Sequence, residues 1–440
     1  MMNPAYAAYA LISSGLVVTA LPFYLGCRRL FGGQGVPIAQ RLGVYDRTFR
    51  HPTGSPRIWI HAVSVGEVNV AGAVIHGLKQ LMPDCGIILS TSTPNGYHAA
   101  IEKLAREAVC IFAPFDFILS VQKALTAVKP DILVCLETEI WPNWLITAHR
   151  MGIRTALING RLSVRSIRGY LKIRALMKAT FAGMDAFSMI HADDARRIEL
   201  LGASPQKVTV GGNAKYDFLF DPAVSATREK MVKLYGVAPE QPVMVAGSTR
   251  GIEGQVVLTA FRKVYAEFPG ALLIIAPRHL KRAREIKARA ESLGLSAQLR
   301  TEMDGVGRLR TASVVIVDTM GELQTIYSIA SVVFCGGSLA PLGGQNILEA
   351  AVWGKPVLYG PSMEDFLEAK ELLEDAGAGS QVADGGELAE KVMYYLSRPE
   401  AAVAVGRRAR EAVLSRGGAA LRHARVIHAV LSGPRTPSDT

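Results

Sequence analysis

Glu67 follows Ser64-Val65-Gly66 at the end of an apolar run, Ile58–Val63. A carboxylate at a strand end that opens a helix is placed to act as general base on an acceptor hydroxyl. An acid favoured by the helix dipole fits the same position. Glu137 and Glu139 follow a second apolar run, Ile132–Leu136. On a continuing strand they would share a face and repel. A turn is therefore expected to separate them, with one turned to a ligand and the other to structural contacts. Arg278 stands after the apolar run Leu272–Ala276, where its planar fork can grip a phosphate. A surface arginine at a loop start fits that spacing equally. Lys215 closes Gly211-Gly212-Asn213-Ala214.

The densest signal lies at residues 335–361, where Gly336-Gly337 and Gly343-Gly344 follow the run Val332–Cys335. Asn346 to Glu349 has capping-box spacing, which predicts a helix start. A strand, a glycine loop and a helix N-terminus would leave backbone N–H groups for a nucleotide phosphate. An ordinary strand–helix turn is the plainer reading. Arg278, Lys215 and this loop together would neutralise a nucleotide phosphate. The backbone of Asp318 to Leu323 could frame a base or ribose.

These positions need parallel sheets behind them. The strand-like runs are 58–63, 87–91, 109–113, 132–136, 155–158, 186–190 and 207–210, then 243–246, 272–276, 314–317, 332–334 and 356–359. Helical spacing follows most of them, as at 68–81 and 117–128. This alternation predicts an α/β protein with two doubly wound parallel sheets, whose ligands sit at the carboxyl ends of the strands. The strand pattern pauses over 217–242, with Pro222, Pro239 and Pro242. The expected division is an anchor over 1–27, a domain over 28–220, a linker over 221–240 and a domain over 241–440. Helices in the 400–428 region are placed to fold back on the first domain, and a cleft between domains is the default site.

Residues 3–27 carry no charge, and Arg28, Arg29, Arg41, Arg47 and Arg50 come after them. That length and asymmetry predict a membrane helix with the bulk of the chain in the cytoplasm; Gly15 and Pro22 leave an interfacial helix open. The net charge of +11 calls for acidic partners. The basic residues are scattered, and nothing resembles a nucleic-acid module. Cys27, Cys85, Cys110, Cys135 and Cys335 form no CxxC pair and read as free thiols.

The chain resembles the 3-deoxy-D-manno-octulosonic acid (Kdo) transferases of lipopolysaccharide synthesis. The matching stretches are His61-Ala-Val-Ser-Val-Gly-Glu67, Thr91-Ser-Thr-Pro94, Leu136-Glu-Thr-Glu-Ile-Trp-Pro-Asn143, Asn159-Gly-Arg-Leu-Ser163, Gly212-Asn-Ala-Lys215, Pro277-Arg-His279, Asp318-Thr-Met-Gly-Glu-Leu323 and 336–361. The resemblance implies a GT-B fold and inverting transfer without a metal or other cofactor. It implies CMP-Kdo as donor and a tetraacyl lipid A precursor (lipid IVA) as acceptor. It also implies attachment to the inner membrane and its anionic lipids, with the domains on the cytoplasmic face. By motif, Glu67 looks like the general base, and Glu137 and Lys215 look like transition-state stabilisers. Pro277, Arg278, Met320, Gly321, Glu322, Asn346, Ile347, Leu348 and Glu349 look like the nucleotide site. Gln345 and Ile347 stand where the family usually has histidine and proline, and Ser248 to Gly251 are assigned no role. A GT-B enzyme or epimerase with a uridine donor, and a non-catalytic membrane-anchored lipid-binding protein, are the rival readings.

Overall fold

The computed structural model describes residues 3–31, 37–45, 51–217, 224–305 and 309–434, without the side chains of 21–31, 165 and 224–226. Arg28, Arg29 and Cys27 as side chains, and Arg47, Arg50 and Pro222 altogether, lie outside that description. The chain forms two compact units, residues 1–218 with 417–440 and residues 219–416.

The first unit is built on seven strands: β1 Arg57–His61, β2 Gly86–Thr91, β3 Val109–Phe112, β4 Ile132–Leu136, β5 Arg154–Gly160, β6 Ala186–Met189 and β7 Val208–Val210. Their order is β3-β2-β1-β4-β5-β6-β7, and every pairing is parallel. Ile132–Leu136 is buried throughout, as a strand covered on both faces must be. The helix Val65–Leu81 covers one face with Val68, Ala71, Val74, Ile75 and Leu78, an i, i+3, i+4 stripe. The last helix, Ala419–Ser432, packs on it through Ala420, Ala424 and Ile427. A Cβ on Gly77 would stand 3.2 Å from that of Ala424, so the glycine sets how closely the two helices approach. Buried His423 fixes the same helix to the sheet, its ring nitrogens 2.9 Å from Ser188 Oγ and 3.0 Å from the Gly212 carbonyl. Residues 417–440 thus cluster with the first unit rather than the second.

The second unit holds β8 Val243–Thr249, β9 Leu272–Pro277, β10 Ala297–Leu299, β11 Val314–Ile316, β12 Val332–Cys335, β13 Val357–Tyr359 and β14 Gly379–Gln381. They pair in parallel in the order β10-β11-β9-β8-β12-β13-β14. The sequence pattern misses β10 and β14. Each has three residues, none fully buried, at a sheet edge, so neither writes an apolar run. Within the stretch expected as a linker, Val224–Tyr235 is a helix.

A helix of 28 residues, Pro4–Phe31, occupies the N-terminus. The expected membrane-crossing helix needs correction here: among the described residues none is long and apolar enough to cross a membrane. Its early turns face protein instead. Tyr6 and Ala10 are buried. The Tyr9 hydroxyl donates to Asp116 Oδ2 at 2.6 Å, and Asn143 Nδ2 donates to Ser13 Oγ at 3.1 Å. Leu11, Ile12, Leu16 and Val18 are exposed.

Candidate active site

In each sheet the chain leaves the first strand on one side and returns on the other, at β1/β4 and at β8/β12. A ligand crevice is expected at the carboxyl ends of such neighbouring strands. In the first unit that place collects acids. Glu67 lies in the first turn of the helix Val65–Leu81 and closes a capping box. Ser64 Oγ accepts from the Glu67 N–H at 3.3 Å, while Ser64 Oγ and the Val63 N–H donate to its two carboxylate oxygens, each at 2.9 Å. The cap and the candidate base are thus one residue. Each carboxylate oxygen keeps a further lone pair for an acceptor hydroxyl. Burial, opposed by these hydrogen bonds and reinforced by the charge of Glu137, raises the Glu67 pKa.

Glu137 and Glu139 diverge, and the cause is local. Glu137 has φ +52, a left-handed backbone that ends β4 abruptly. Its carboxylate pairs with Lys215 Nζ at 2.7 Å. Lys215 is brought there by Asn159, itself at φ +49, whose Oδ1 accepts from the Ala214 N–H at 2.8 Å. Glu139 accepts from the Trp141 indole N–H at 2.8 Å and lies 3.9 Å from His61 Nε2. Burial, followed by repulsion from Glu67 and Glu137, pushes its pKa to about 7. His61 is buried with Nδ1 2.9 Å from Ser90 Oγ, and burial drives its pKa down to about 4, so it faces Glu139 as a neutral ring. Glu67, Glu137, Glu139 and Lys215 therefore come together. Sequence reasoning overlooked His61 and Asn159 as organisers of the group; each stands within a stretch already marked by its motif.

In the second unit the glycine loop is not an open anion cradle, which corrects the reading of 336–346. Glu253, fully buried in the first turn of the helix Glu253–Glu267, fills it from within. Its carboxylate accepts from the N–H groups of Gly337 at 2.6 Å, Ser338 and Leu339 at 2.9 Å, and Arg250 at 2.8 Å. A Cβ on Gly336 would fall 2.9 Å from that carboxylate and 2.6 Å from Thr249 Cα, so only glycine allows this approach. The expected helix at Asn346 is also a single turn, Leu348–Ala351, with Ile347 as N-cap. Asn346 Oδ1 does accept from the Leu348 N–H at 3.2 Å, and its Nδ2 donates to Glu349 Oε1 at 3.4 Å.

The expected nucleotide residues then divide. Arg278, exposed at the end of β9, and Glu349 share an electrostatic environment: burial raises the Glu349 pKa, while Asn346 and Arg278 oppose it. Arg278, Asn346 and Glu349 therefore form one group. Met320 is exposed and Gly321 has φ +85. Glu322, however, is held by buried Arg300, whose Nη2 donates to its Oε1 at 3.2 Å, so its carboxylate is committed to structure. Pro277, Ile347 and Leu348 are buried. Glu253 was missed by the sequence reading. Its signal was an acid in the first turn after a sheet's first strand, the same place that Glu67 occupies.

Residues 37–218, which hold all four members of the acidic group, match the family model for 3-deoxy-D-manno-octulosonic-acid transferase, or Kdo transferase. The chain carries a Kdo transferase domain and is similar to Kdo transferases over most of its length. It is 28% identical over 388 residues to the 3-deoxy-D-manno-octulosonic acid transferase of Haemophilus influenzae, covering 87% of this chain and 88% of that one. It is 31% identical over 319 residues to a bifunctional glycosyltransferase/methyltransferase of Fusobacterium nucleatum. That match takes in 72% of this chain and spans about half, 49%, of the relative. Among solved structures, a glycosyltransferase of Rickettsia africae aligns with TM-score 0.54 at 16% identity, over 86% of this chain and 99% of that one. A UDP-GlcNAc 2-epimerase of Neisseria meningitidis aligns with TM-score 0.59 at 16% identity, over 85% and 99%. These two likenesses establish for this Kdo transferase relative the GT-B-like, two-sheet α/β fold and nothing further.

Proposed function

We infer that the protein is an inverting glycosyltransferase that moves Kdo from CMP-Kdo to a lipid A precursor, lipid IVA, in lipopolysaccharide inner-core synthesis. The observation that carries this reading is Glu67. It is a buried carboxylate with a raised pKa and spare lone pairs, beside a Lys215–Glu137 ion pair, in a segment that matches the Kdo transferase family.

In the proposed step the acceptor hydroxyl oxygen attacks the anomeric carbon of Kdo. The bond from that carbon to the phosphate oxygen breaks, and CMP leaves with the electron pair. The hydroxyl proton passes to Glu67. An inverting transfer needs this one base and no covalent enzyme intermediate. Lys215 is proposed to offset the negative charge that develops on the departing phosphate, and Glu137 the positive charge on the reacting sugar. Arg278 takes the CMP phosphate, Asn346 and Glu349 the cytidine nucleotide, and Glu349 a ribose hydroxyl. The transfer is proposed to proceed without a metal ion, its cations being these side chains. The N-terminal helix, with Leu11, Ile12, Leu16 and Val18 outward, is proposed to hold the protein at the cytoplasmic face of the inner membrane, among anionic lipids that its positive charge favours.

The test is transfer of labelled Kdo from CMP-Kdo to lipid IVA by the purified protein in detergent, with and without EDTA. Product in both conditions supports the reading; no product with either refutes it. Thermal protection by CMP but not UMP is expected, and the reverse would point to a uridine-nucleotide enzyme.

A further inference from the structure

At the opposite edge of the second sheet, where its strands begin, lies a cavity of about 610 Å³. Pro242 precedes β8, Ser331 precedes β12 and Pro356 precedes β13, so the cavity opens beneath the sheet, away from Arg278 and Asn346. Its walls are largely apolar, with Pro242, Pro356, Tyr395, Leu396, Ala402 and Val403. The volume falls within the ordinary range for small-molecule sites, about 300–1,000 Å³, which pair apolar walls with a few placed polar groups. Here the polar groups are Lys355, Ser331 and Glu240.

We infer that this cavity binds a small organic monoanion, a monocarboxylate with an apolar body, through the Lys355 ammonium. Among the described residues no carboxylate forms an ion pair with Lys355. Glu240 lines the same cavity from the loop before β8 but does not pair with it. Two arginines stand near it. Arg228, on the helix Val224–Tyr235, acts on Lys355 directly, and Arg410, on the helix Pro399–Ser415, packs beside Gly354. Desolvation, with the charge of Arg228, holds the Lys355 pKa down to about 8. A half-desolvated cation among cations gains most from an anion brought to it. The apolar walls favour a ligand whose remaining surface is hydrocarbon.

The sign of the pH dependence follows. Below about pH 8 the ammonium is charged and binds the carboxylate; above it the amine is neutral and the attraction is lost. Decanoate is a suitable probe, with decanol as its uncharged counterpart, in calorimetric titrations of the full chain. Decanoate is expected to bind at about pH 7 and to weaken roughly thirtyfold by about pH 9.5, following the charged fraction of a lysine titrating near 8. Decanol is expected to bind at least about tenfold more weakly than decanoate at the lower pH. Lys355→Met should abolish the difference between the two probes. Lys355→Arg should keep decanoate binding and remove the loss at high pH, because arginine does not titrate there. Val403→Trp narrows the mouth at an exposed position and should block binding with the ammonium intact; it also serves if Lys355→Met does not fold. Equal binding of the two probes, binding indifferent to all three substitutions, or no decanoate binding at all would overturn the assignment.

Discussion

The two units place an acid at the same topological point and use it differently. Glu67 follows β1 and Glu253 follows β8, each in the first turn of the helix after its sheet's first strand, beside the strand at which chain order reverses. Glu253 is fully buried and receives four backbone N–H groups, three of them from a loop more than eighty residues away. Glu67 receives one N–H and one hydroxyl, both from its own turn, and meets the charge of Glu137. A carboxylate whose lone pairs are all spent on backbone holds a loop; one left short of donors and pressed by like charge can take a proton. Position alone does not separate these fates, but the supply of donors does.

Substitution should divide the two along that line. Glu67→Ala is expected to lower kcat by about 10²–10⁴-fold, the usual worth of a positioned base, while costing only about 1 kcal/mol of stability for the lost cap. A kcat within tenfold of the native value in labelled-Kdo transfer would remove Glu67 from the chemistry. Glu253→Ala is expected to do the converse. It strands the N–H groups of Arg250, Gly337, Ser338 and Leu339, a loss on the order of 3–5 kcal/mol. Urea unfolding should show that loss, and a stability change under about 1 kcal/mol would mean that water replaces the carboxylate in the loop.

The same contrast marks what could be read in the sequence. Most of the strands wrote apolar runs because both faces of a parallel sheet are covered, and the edge strand Val208–Val210 wrote one through its valines although none of it is buried. Ala297–Leu299 and Gly379–Gln381 wrote none because they are partly exposed edges whose short sequences carry too few apolar residues. Glu67 was legible because its cap partners are its neighbours, and the divergence of Glu137 from Glu139 followed from like-charge repulsion. The pairing of Lys215 with Glu137 was not legible, since it depends on Asn159 in a left-handed conformation holding a loop from elsewhere in the chain. Nor was the filling of the glycine loop. Two glycine pairs announce a backbone that something approaches closely, and they cannot say whether the visitor is a ligand or the protein's own Glu253. The helix at Asn346 was over-read for a related reason. Its capping-box spacing is real, but left-handed Gly354 and then Pro356 stop the chain soon after one turn.

Beneath these large effects a smaller one tests whether the acids of the first unit act as a group. Glu139 is pushed up to about 7 by burial and by repulsion from Glu67 and Glu137. A carboxyl whose folded pKa exceeds its unfolded value stabilises the fold below the unfolded pKa, and that stability is lost as pH rises through the folded one. Urea midpoints of the native protein should therefore fall as pH rises toward and through about 7. Glu139→Gln should flatten that slope while keeping an acceptor for the Trp141 indole. Glu139 is already protonated where Glu67, with its smaller shift, titrates, so the same substitution should leave the raised pKa of Glu67 unchanged; the charge that raises it is that of Glu137. Glu67 works as a base only when ionised, so its rate falls as pH drops through that pKa. In Glu139→Gln the acid limb of the kcat profile should accordingly stay in place, whereas Glu137→Gln should move it to lower pH, by no more than about one unit for a single neighbouring charge. A limb that moves in Glu139→Gln and stays in Glu137→Gln would reverse these roles and make Glu139 the charge that tunes the base.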